Sequence, residues 1–326
     1  ILTPKMNTNS YLKIPNKINI DDIYPHYTKY TEGPKQNLKL FIDNKNIHLL
    51  CKELYINYIA YNIQFKKCYF NTNTIVSNNK YYLSSSCGLE VKNINKNINK
   101  NSISIKKGIY FCGKWSGEYW HFLMEYLTSM LNVKHYEHYT IIVGSKSKFI
   151  MEFLEILNIP NKNIITGDGY TDELMVPNPQ NCGNASNYSL HLLRETFIKK
   201  LNINYSSNDK FIILIKRNNS RQLTNYKELE RSILQYYNKK NIKVFIHDDN
   251  NLPSIKEQLL YFSKATTIIA PHGAGLSNMF ISNPNTNIVE MFTKNKLNIC
   301  YLCTSIRLGF NYFCTYSSDS KVNINK

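Results

Sequence analysis

The stretch Thr267-Ile268-Ile269-Ala270-Pro271-His272-Gly273-Ala274-Gly275-Leu276-Ser277-Asn278 passes from a short apolar, β-branched run into a loop with two glycines and then into a helix-like segment. A buried strand that ends in glycine and hands over to a helix is the signature of a strand-to-helix unit in a parallel sheet. Glycines there let backbone approach a ligand closely. Free N–H groups and the dipole at the helix start favour phosphate. His272 and Ser277 offer side-chain hydrogen bonds at the same place. The spacing equally fits an ordinary tight turn. It is neither a phosphate-binding GxxxxGK loop nor a dinucleotide fingerprint.

Working outward, the same alternation repeats. Before this stretch lie a strand at Phe211 to Ile215, a helix at Tyr226 to Asn238, a strand at Lys243 to Ile246 and a helix at Ser254 to Ser263; after it come a helix around Leu276 to Ile281 and a strand at Asn287 to Met291. A helix over Leu190 to Leu201 precedes this set. An earlier set begins with a strand at Ile109 to Phe111 and a helix from about Glu118 to Val133, where Phe122, Tyr126, Leu127, Met130 and Leu131 recur at helical spacing. It continues with a strand at Thr140 to Val143, a helix at Lys148 to Leu157, and short strands at Ile164-Ile165 and Glu173 to Pro177. Two α/β units in tandem are therefore expected, residues 1–200 and 201–326, with the crevice between them as the default binding site. Residues 1–105 read as an irregular, strand-rich lead-in, with strands at Leu38 to Ile42 and Tyr55 to Tyr61.

Three further groups have the chemistry of a site. Arg217 and Arg221 sit in a loop at the end of a strand, where two guanidiniums clamp a diphosphate or simply form a solvated basic turn. His121 and Glu125 are four apart, so they share one helix face near its start. An imidazole and a carboxylate so placed suit general-base work, although such pairs also occur as plain helix contacts. Glu290 follows a buried strand, where a carboxylate binds ribose hydroxyls or sits in a loop.

Composition narrows the classes. The 326 residues are 43% hydrophobic and 19% charged, enough for one large or two ordinary folded domains. No apolar run reaches 18 residues, so no membrane span is expected in this chain. The net charge of +17 would ordinarily suggest nucleic acid. Here Lys is scattered among 45 Asn and 25 Tyr, as in Val91 to Lys100, and this bias reads as AT-rich codon usage in a protist, a low-GC bacterium or a large DNA virus. No zinc-finger spacing or basic region is present, so nucleic acid is not an expected partner. The eight cysteines show no dense framework. Cys300-x-x-Cys303 lacks a fourth metal ligand at suitable spacing, so buried thiols or one or two disulfides are expected. Four N-x-[ST] sequons are what so much Asn produces by chance. The chain starts on Ile1 rather than Met, which reads as a fragment or processed form with room for a leader, an anchor or a further domain before it.

Five of these pieces in order resemble glycosyltransferase family 61. They are Tyr119-Trp120-His121-Phe122-Leu123-Met124-Glu125, Arg217-x3-Arg221, Glu257-Gln258-x3-Phe262-x2-Ala265, Pro271-His272-Gly273-Ala274-Gly275-Leu276-Ser277-Asn278 and Val289-Glu290. The resemblance covers residues 108–316. It departs from the family where Asn225 is followed by Tyr226 rather than Glu, and where Ser277 replaces the usual Thr while keeping the hydroxyl. The family includes protein O-linked N-acetylglucosaminyltransferases, plant xylosyl- and arabinosyltransferases and bacterial capsule enzymes. The resemblance implies a GT-B architecture, two Rossmann-like domains facing a cleft, with the acceptor side in the first and the nucleotide sugar in the second. It implies inversion, usually without a metal, and the chain contains no Asp-x-Asp. A uridine diphosphate sugar, N-acetylglucosamine or xylose leading, is the expected co-substrate, with no cofactor, and a protein or glycan is the acceptor. Glu125 is the expected base, with His121 positioning it, positioning the acceptor or acting in its place. Arg217, Arg221, His272, Gly273, Ala274, Gly275 and Ser277 are expected to hold the diphosphate, and Leu276, Asn278 and Glu290 the nucleoside. Rival readings are an epimerase or another phosphate-handling enzyme of this architecture, and a degenerate transferase fold serving as a glycan-binding or structural protein. A viral origin would suit cytoplasmic work, and a cellular one the secretory lumen.

Overall fold

A computed structural model of the chain describes residues 62–77, 80–85, 88–92, 103–177, 185–205, 211–293 and 298–317. The strands expected at 38–42 and 55–61 lie outside these residues. Those described form a mixed α/β structure of two compact units, residues 62–177 and 185–317.

The first unit is built on an eight-stranded sheet of order β4-β3-β2-β1-β8-β5-β6-β7. One half is an antiparallel meander of β1 (Asn62–Phe70), β2 (Thr74–Ser77), β3 (Lys80–Ser85) and β4 (Gly88–Lys92). The Asn71 side chain closes the first of its turns by accepting from the Asn73 N–H at 2.8 Å. The other half, β5 (Ile103–Phe111), β6 (Thr140–Val143), β7 (Ile164–Ile165) and β8 (Gly169–Pro177), is parallel. β1 joins the halves by running antiparallel to β8, from Asn62 opposite Pro177 to Phe70 opposite Gly169. The strands expected between Ile109 and Pro177 thus form β5 to β8, and the lead-in strands extend that sheet in the antiparallel sense. Midway along β1, Lys67 adopts a left-handed φ of 50°. Ile63 and Phe65 before it and Cys68 and Phe70 after it all enter one buried cluster with Tyr110, Ile142 and Leu174.

On β5 the alternation of strand side chains sends Tyr110 into that cluster and Ile109 and Phe111 to the opposite face. There Phe111 meets the helix α1, residues 119–130, through Phe122 and Tyr126, with ring centroids at 6.1 and 6.4 Å. Phe122 also packs on Phe149 and Phe153 of α2 (Lys148–Ile156). These apolar contacts, each large side chain contributing about 1.5–3 kcal/mol on burial, fix α1 against the end of β5.

The second unit is a five-stranded, wholly parallel sheet. It comprises β9 (Phe211–Lys216), β10 (Lys243–Asp248), β11 (Ala265–Pro271), β12 (Asn287–Thr293) and β13 (Asn311–Ser317) in the order β10-β9-β11-β12-β13. This is a doubly wound order in which the direction of winding reverses between β9 and β11. The carboxyl ends of those two strands therefore open a crevice at the switch point. Preceding the sheet is α3 (Asn187–Leu201), followed by α4 (Tyr226–Asn238), α5 (Ile255–Lys264), a 3-10 helix (Ala274–Ile281) and α6 (Cys300–Leu308). Leu223, Tyr226 and Ile233 put α4 onto Leu214, Val244, Ile246 and Ile269. α5, α6 and α3 instead pack around the 3-10 helix, with Phe197 edge-on to Phe280 at 5.6 Å. α5 begins at a capping box: Ser254 Oγ accepts from the Glu257 N–H and the Glu257 carboxylate accepts from the Ser254 N–H at 3.0 Å.

The helix expected around Leu276 to Ile281 is of the 3-10 type, and Glu290 lies within β12, the strand expected at Asn287 to Met291. Cys300 and Cys303 are one turn apart inside α6, a helix the sequence reading does not include. Among the described residues Cys68 and Cys300 are free thiols. Burial pushes the Cys68 thiol up to about 12, so it stays protonated and inert.

Gly169 shows how tightly the first core is closed. A Cβ there would lie 2.1 Å from the Phe70 ring, which is itself buried. Gly169→Ala is expected to cost about 1–3 kcal/mol through overpacking, read as a lower denaturant midpoint. An unchanged midpoint would show that Phe70 has room to turn away.

Candidate functional site

The crevice of the second unit is shaped by a missing side chain. Arg217 follows β9, and Gly273 begins the loop after β11. A Cβ on Gly273 would lie 1.4 Å from Arg217 Nη1, so the guanidinium occupies space that only glycine leaves open. Gly273 is extended, with φ 166° and ψ 171°, and it is room rather than torsion that requires glycine here. Arg217 is held in place by its own turn: Nε donates to the Ser220 carbonyl at 2.8 Å and Nη2 to Ser220 Oγ at 3.1 Å. Burial, and then the neighbouring charge of Arg221, press its pKa down while Asp249 opposes them. A guanidinium nevertheless keeps its charge. Arg221 closes the turn in the left-handed region, φ 57°, a conformation that bulky residues seldom hold away from functional turns. Alongside, Lys216 is already neutralised by Asp248 at 2.7 Å, and Asn218 also donates to that carboxylate.

Beneath the loop, buried polar contacts fix its path. Tyr301 of α6 donates to the Gly273 carbonyl at 2.7 Å, and Ser277 Oγ lies 3.1 Å from the same hydroxyl. Because the phenol proton is used on Gly273, Ser277 donates to Tyr301. Asn278 Nδ2 donates to Gln258 Oε1 at 3.0 Å, and Gln258 Nε2 donates to the Pro253 carbonyl at 2.8 Å. His247 Nε2 also lies 3.0 Å from Gln258 Oε1. An amide oxygen only accepts, so Nε2 carries the proton. Burial lowers the His247 pKa, which favours that neutral ring. Leu276, Ser277 and Asn278 are fully buried. Their side chains face the interior and hold the loop, whereas Arg217, Ala274 and Gly275 are only partly buried.

His272 and Glu290 are also brought together. His272 Nδ1 and Glu290 Oε1 are 2.5 Å apart, and Tyr312 of β13 donates to Glu290 Oε2 at 2.5 Å. Glu290 is fully buried, and burial raises its pKa against the pull of His272 and Tyr312. Of the residues expected to bind the donor, Arg217, Arg221, His272, Gly273, Ala274, Gly275, Leu276, Ser277, Asn278 and Glu290 thus form one neighbourhood. Tyr301, Tyr312, His247 and Gln258 support it. The first three stand in no recognisable motif, and Gln258 alone was visible beside Glu257.

In the first unit His121 and Glu125 form a pair of their own, Nδ1 to Oε2 at 2.9 Å, with Glu125 fully buried and His121 partly exposed. The middle of α1, Phe122–Leu127, is a π-helical turn, a widening frequent at functional positions. Thr128 Oγ1 donates to the Met124 carbonyl at 2.8 Å and Ser129 Oγ to that of Glu125 at 2.6 Å, satisfying carbonyls in the widened turn. Trp115 stacks on the His121 ring at 5.5 Å, limiting its rotation.

Among the described residues no group of three or more His, Cys, Asp or Glu side chains is placed to hold a metal ion, and no helix is long and apolar enough to cross a membrane. Two mutants of a flavo di-iron protein from Thermotoga maritima superpose with a TM-score of 0.28 each. They are 10% and 8% identical, over 78% and 82% of this chain. The match spans 60% and 62% of those structures' own length, a superposition too weak to bear on the fold. Among curated proteins there is no match. The family model described as Glycosyltransferase 61 matches residues 119–289, from the start of α1 through the Arg217 turn and the glycine loop into β12. The chain belongs to glycosyltransferase family 61.

Proposed function

We propose that this glycosyltransferase moves a sugar from a uridine diphosphate donor, N-acetylglucosamine or xylose leading, to a hydroxyl of a protein or glycan, with inversion and without a metal. The carrying observation is the Arg217 guanidinium seated on Gly273 at the switch point of a parallel sheet. A doubly wound sheet binds its ligand there, and a fork of N–H donors beside free loop N–H groups matches a diphosphate. A GT-B architecture with a Rossmann-like donor unit goes with this reading.

The acceptor oxygen attacks the anomeric carbon as the bond from that carbon to the diphosphate oxygen breaks. The electron pair leaves on the diphosphate. Arg217, Arg221 and the N–H groups around Gly273 to Gly275 stabilise the charge that develops, in place of a divalent ion. Glu125 takes the acceptor's proton, and His121, hydrogen-bonded to it, keeps the carboxylate oriented. Trp115 and the π turn hold that pair still, which favours an in-line approach.

Ligand that binds only the folded protein raises its melting temperature. One uridine diphosphate sugar is expected to raise Tm, with EDTA present, in wild type but not in Arg217→Ala. No response to any nucleotide sugar would favour a degenerate, glycan-binding role instead. Gly273→Ala is expected to eject the guanidinium and abolish the same response while leaving the unliganded Tm within a few degrees; an intact response would place the diphosphate elsewhere. Glu125→Gln is expected to lower kcat about 10²–10⁴-fold with donor binding retained. Loss of donor binding in that variant would contradict its role as base.

A further inference from the structure

The three side chains expected to meet the nucleoside, Leu276, Asn278 and Glu290, are all fully buried, and both Glu290 oxygens are taken, one by the Tyr312 hydroxyl and one by His272 Nδ1. Uncommitted acceptors lie instead at the end of β10. There the Asp248 carboxylate is occupied by Lys216, Asn218 and the Asn250 N–H. Asp249, the next residue, is pinned beside the Arg217 turn by its backbone, whose N–H donates to the Lys216 carbonyl at 3.1 Å. Its side chain is partly buried, and among the described residues no group donates a hydrogen bond to its carboxyl oxygens. Its neighbour His247 is almost wholly buried and is turned by Gln258 so that Nδ1 is an acceptor, an atom with no partner among the described residues. That ring lies against the bare side of Gly275, where a Cβ would be 3.3 Å from Cε1 and 3.6 Å from Nδ1. Donors thus gather at the Arg217 turn, and unused acceptors gather on its β10 side.

We propose that the Asp249 carboxyl group binds the 2′- and 3′-hydroxyls of the donor's ribose and makes the site selective for ribonucleotide over deoxyribonucleotide donors. The inference rests on the nucleotide-sugar reading above and moves the nucleoside contact from Glu290 to Asp249. A diphosphate only accepts hydrogen bonds, so it calls for N–H groups such as those of Arg217. A vicinal diol brings two O–H donors, and the two oxygens of one carboxyl group match them. Dinucleotide-binding sheets place a ribose-binding carboxylate one strand along from the phosphate turn. Here β10 is that strand, paired with β9 so that Asp248 lies opposite Lys216 and Asp249 follows at the same level as Arg217. The ribose carries the diphosphate on its own 5′ carbon, so an acceptor beside Arg217 is within reach of its hydroxyls. Burial raises the Asp249 pKa, while Arg217 and His247 oppose that rise. The match does not turn on the outcome, because a carboxyl group keeps an accepting oxygen even when protonated.

The test is calorimetry with uridine diphosphate and 2′-deoxyuridine diphosphate on wild type, Asp249→Ala and Asp249→Asn. Wild type is expected to bind the ribonucleotide about tenfold more tightly, the effect of one hydrogen bond to a charged group. In Asp249→Ala that preference is expected to fall to about twofold or less, since no acceptor remains to tell the two sugars apart. Asp249→Asn keeps the shape and one accepting oxygen, so its preference is expected to lie between, and it carries the test if Asp249→Ala folds poorly. The ratio of the two affinities is the readout, because removing a negative charge beside Arg217 acts on both nucleotides alike. A preference undiminished in both variants, or a wild type that binds the two nucleotides equally, overturns the proposal. Wild type that binds neither nucleotide, with Arg217→Ala equally silent, would overturn the donor-site reading itself and with it the ribose as the partner of Asp249.

Discussion

The contact between the Arg217 guanidinium and the bare Cα of Gly273 organises the second unit. It joins the loops that follow β9 and β11, the two strands on either side of the reversal in winding. Everything buried beneath it keeps that surface in place. Tyr301 holds the Gly273 carbonyl, and Ser277 holds Tyr301. Asn278 and His247 share the Gln258 amide oxygen under the following turn. Each of these polar groups is buried and bonded, so loss of one leaves its partner unsatisfied at about 1–3 kcal/mol. The network therefore resists small displacements of the loop. That is the property a site needs if its donors are to be aimed before the ligand arrives.

Much of this was legible in the sequence. The helix expected at Tyr226 to Asn238 matches the α4 limits, and the helix expected from Ser254 starts within a residue of α5. β9 and β11 were plain because fully buried parallel strands are continuous apolar runs. Less legible was the meander of β1 to β4. Its apolar positions change phase at the left-handed Lys67, so a strict period of two fails where it would otherwise be diagnostic. The π turn of α1 was invisible, because a helix of i to i+5 bonds keeps nearly the same apolar spacing as its neighbours. α6 escaped because its cysteines invited a covalent reading, whereas its helix ends only at Gly309, in the left-handed conformation with φ 79°.

The site divides in the same way. Residues of the strand-end loops were recognisable because such loops concentrate glycine, arginine and histidine in short motifs. Those that hold them were not. Tyr301 and Tyr312 lie more than twenty residues from their partners and reach them only through the register of parallel strands and the packing of α6. Neither spacing nor composition carries that information. A chain with 25 tyrosines gives no reason to single out two. Burial was equally unreadable for Leu276, Ser277 and Asn278: they stand within the motif, yet their side chains serve the interior.

Charge illustrates why geometry outweighs totals here. The chain is strongly basic, with a net charge of +17, yet exposed lysines act on a ligand only within a Debye length of about 8–10 Å. The lysine nearest the crevice in sequence, Lys216, is already spent on Asp248. Arg217 differs because it is partly desolvated, anchored by Ser220 and next to a second guanidinium that raises the local potential. Two like charges held together repel each other, and in the proposed donor site a diphosphate would relieve that repulsion. Asp249 offsets part of it in the free protein. On the proposed donor reading, an anion bearing at least two negative charges would offset the charge that Asp249 leaves.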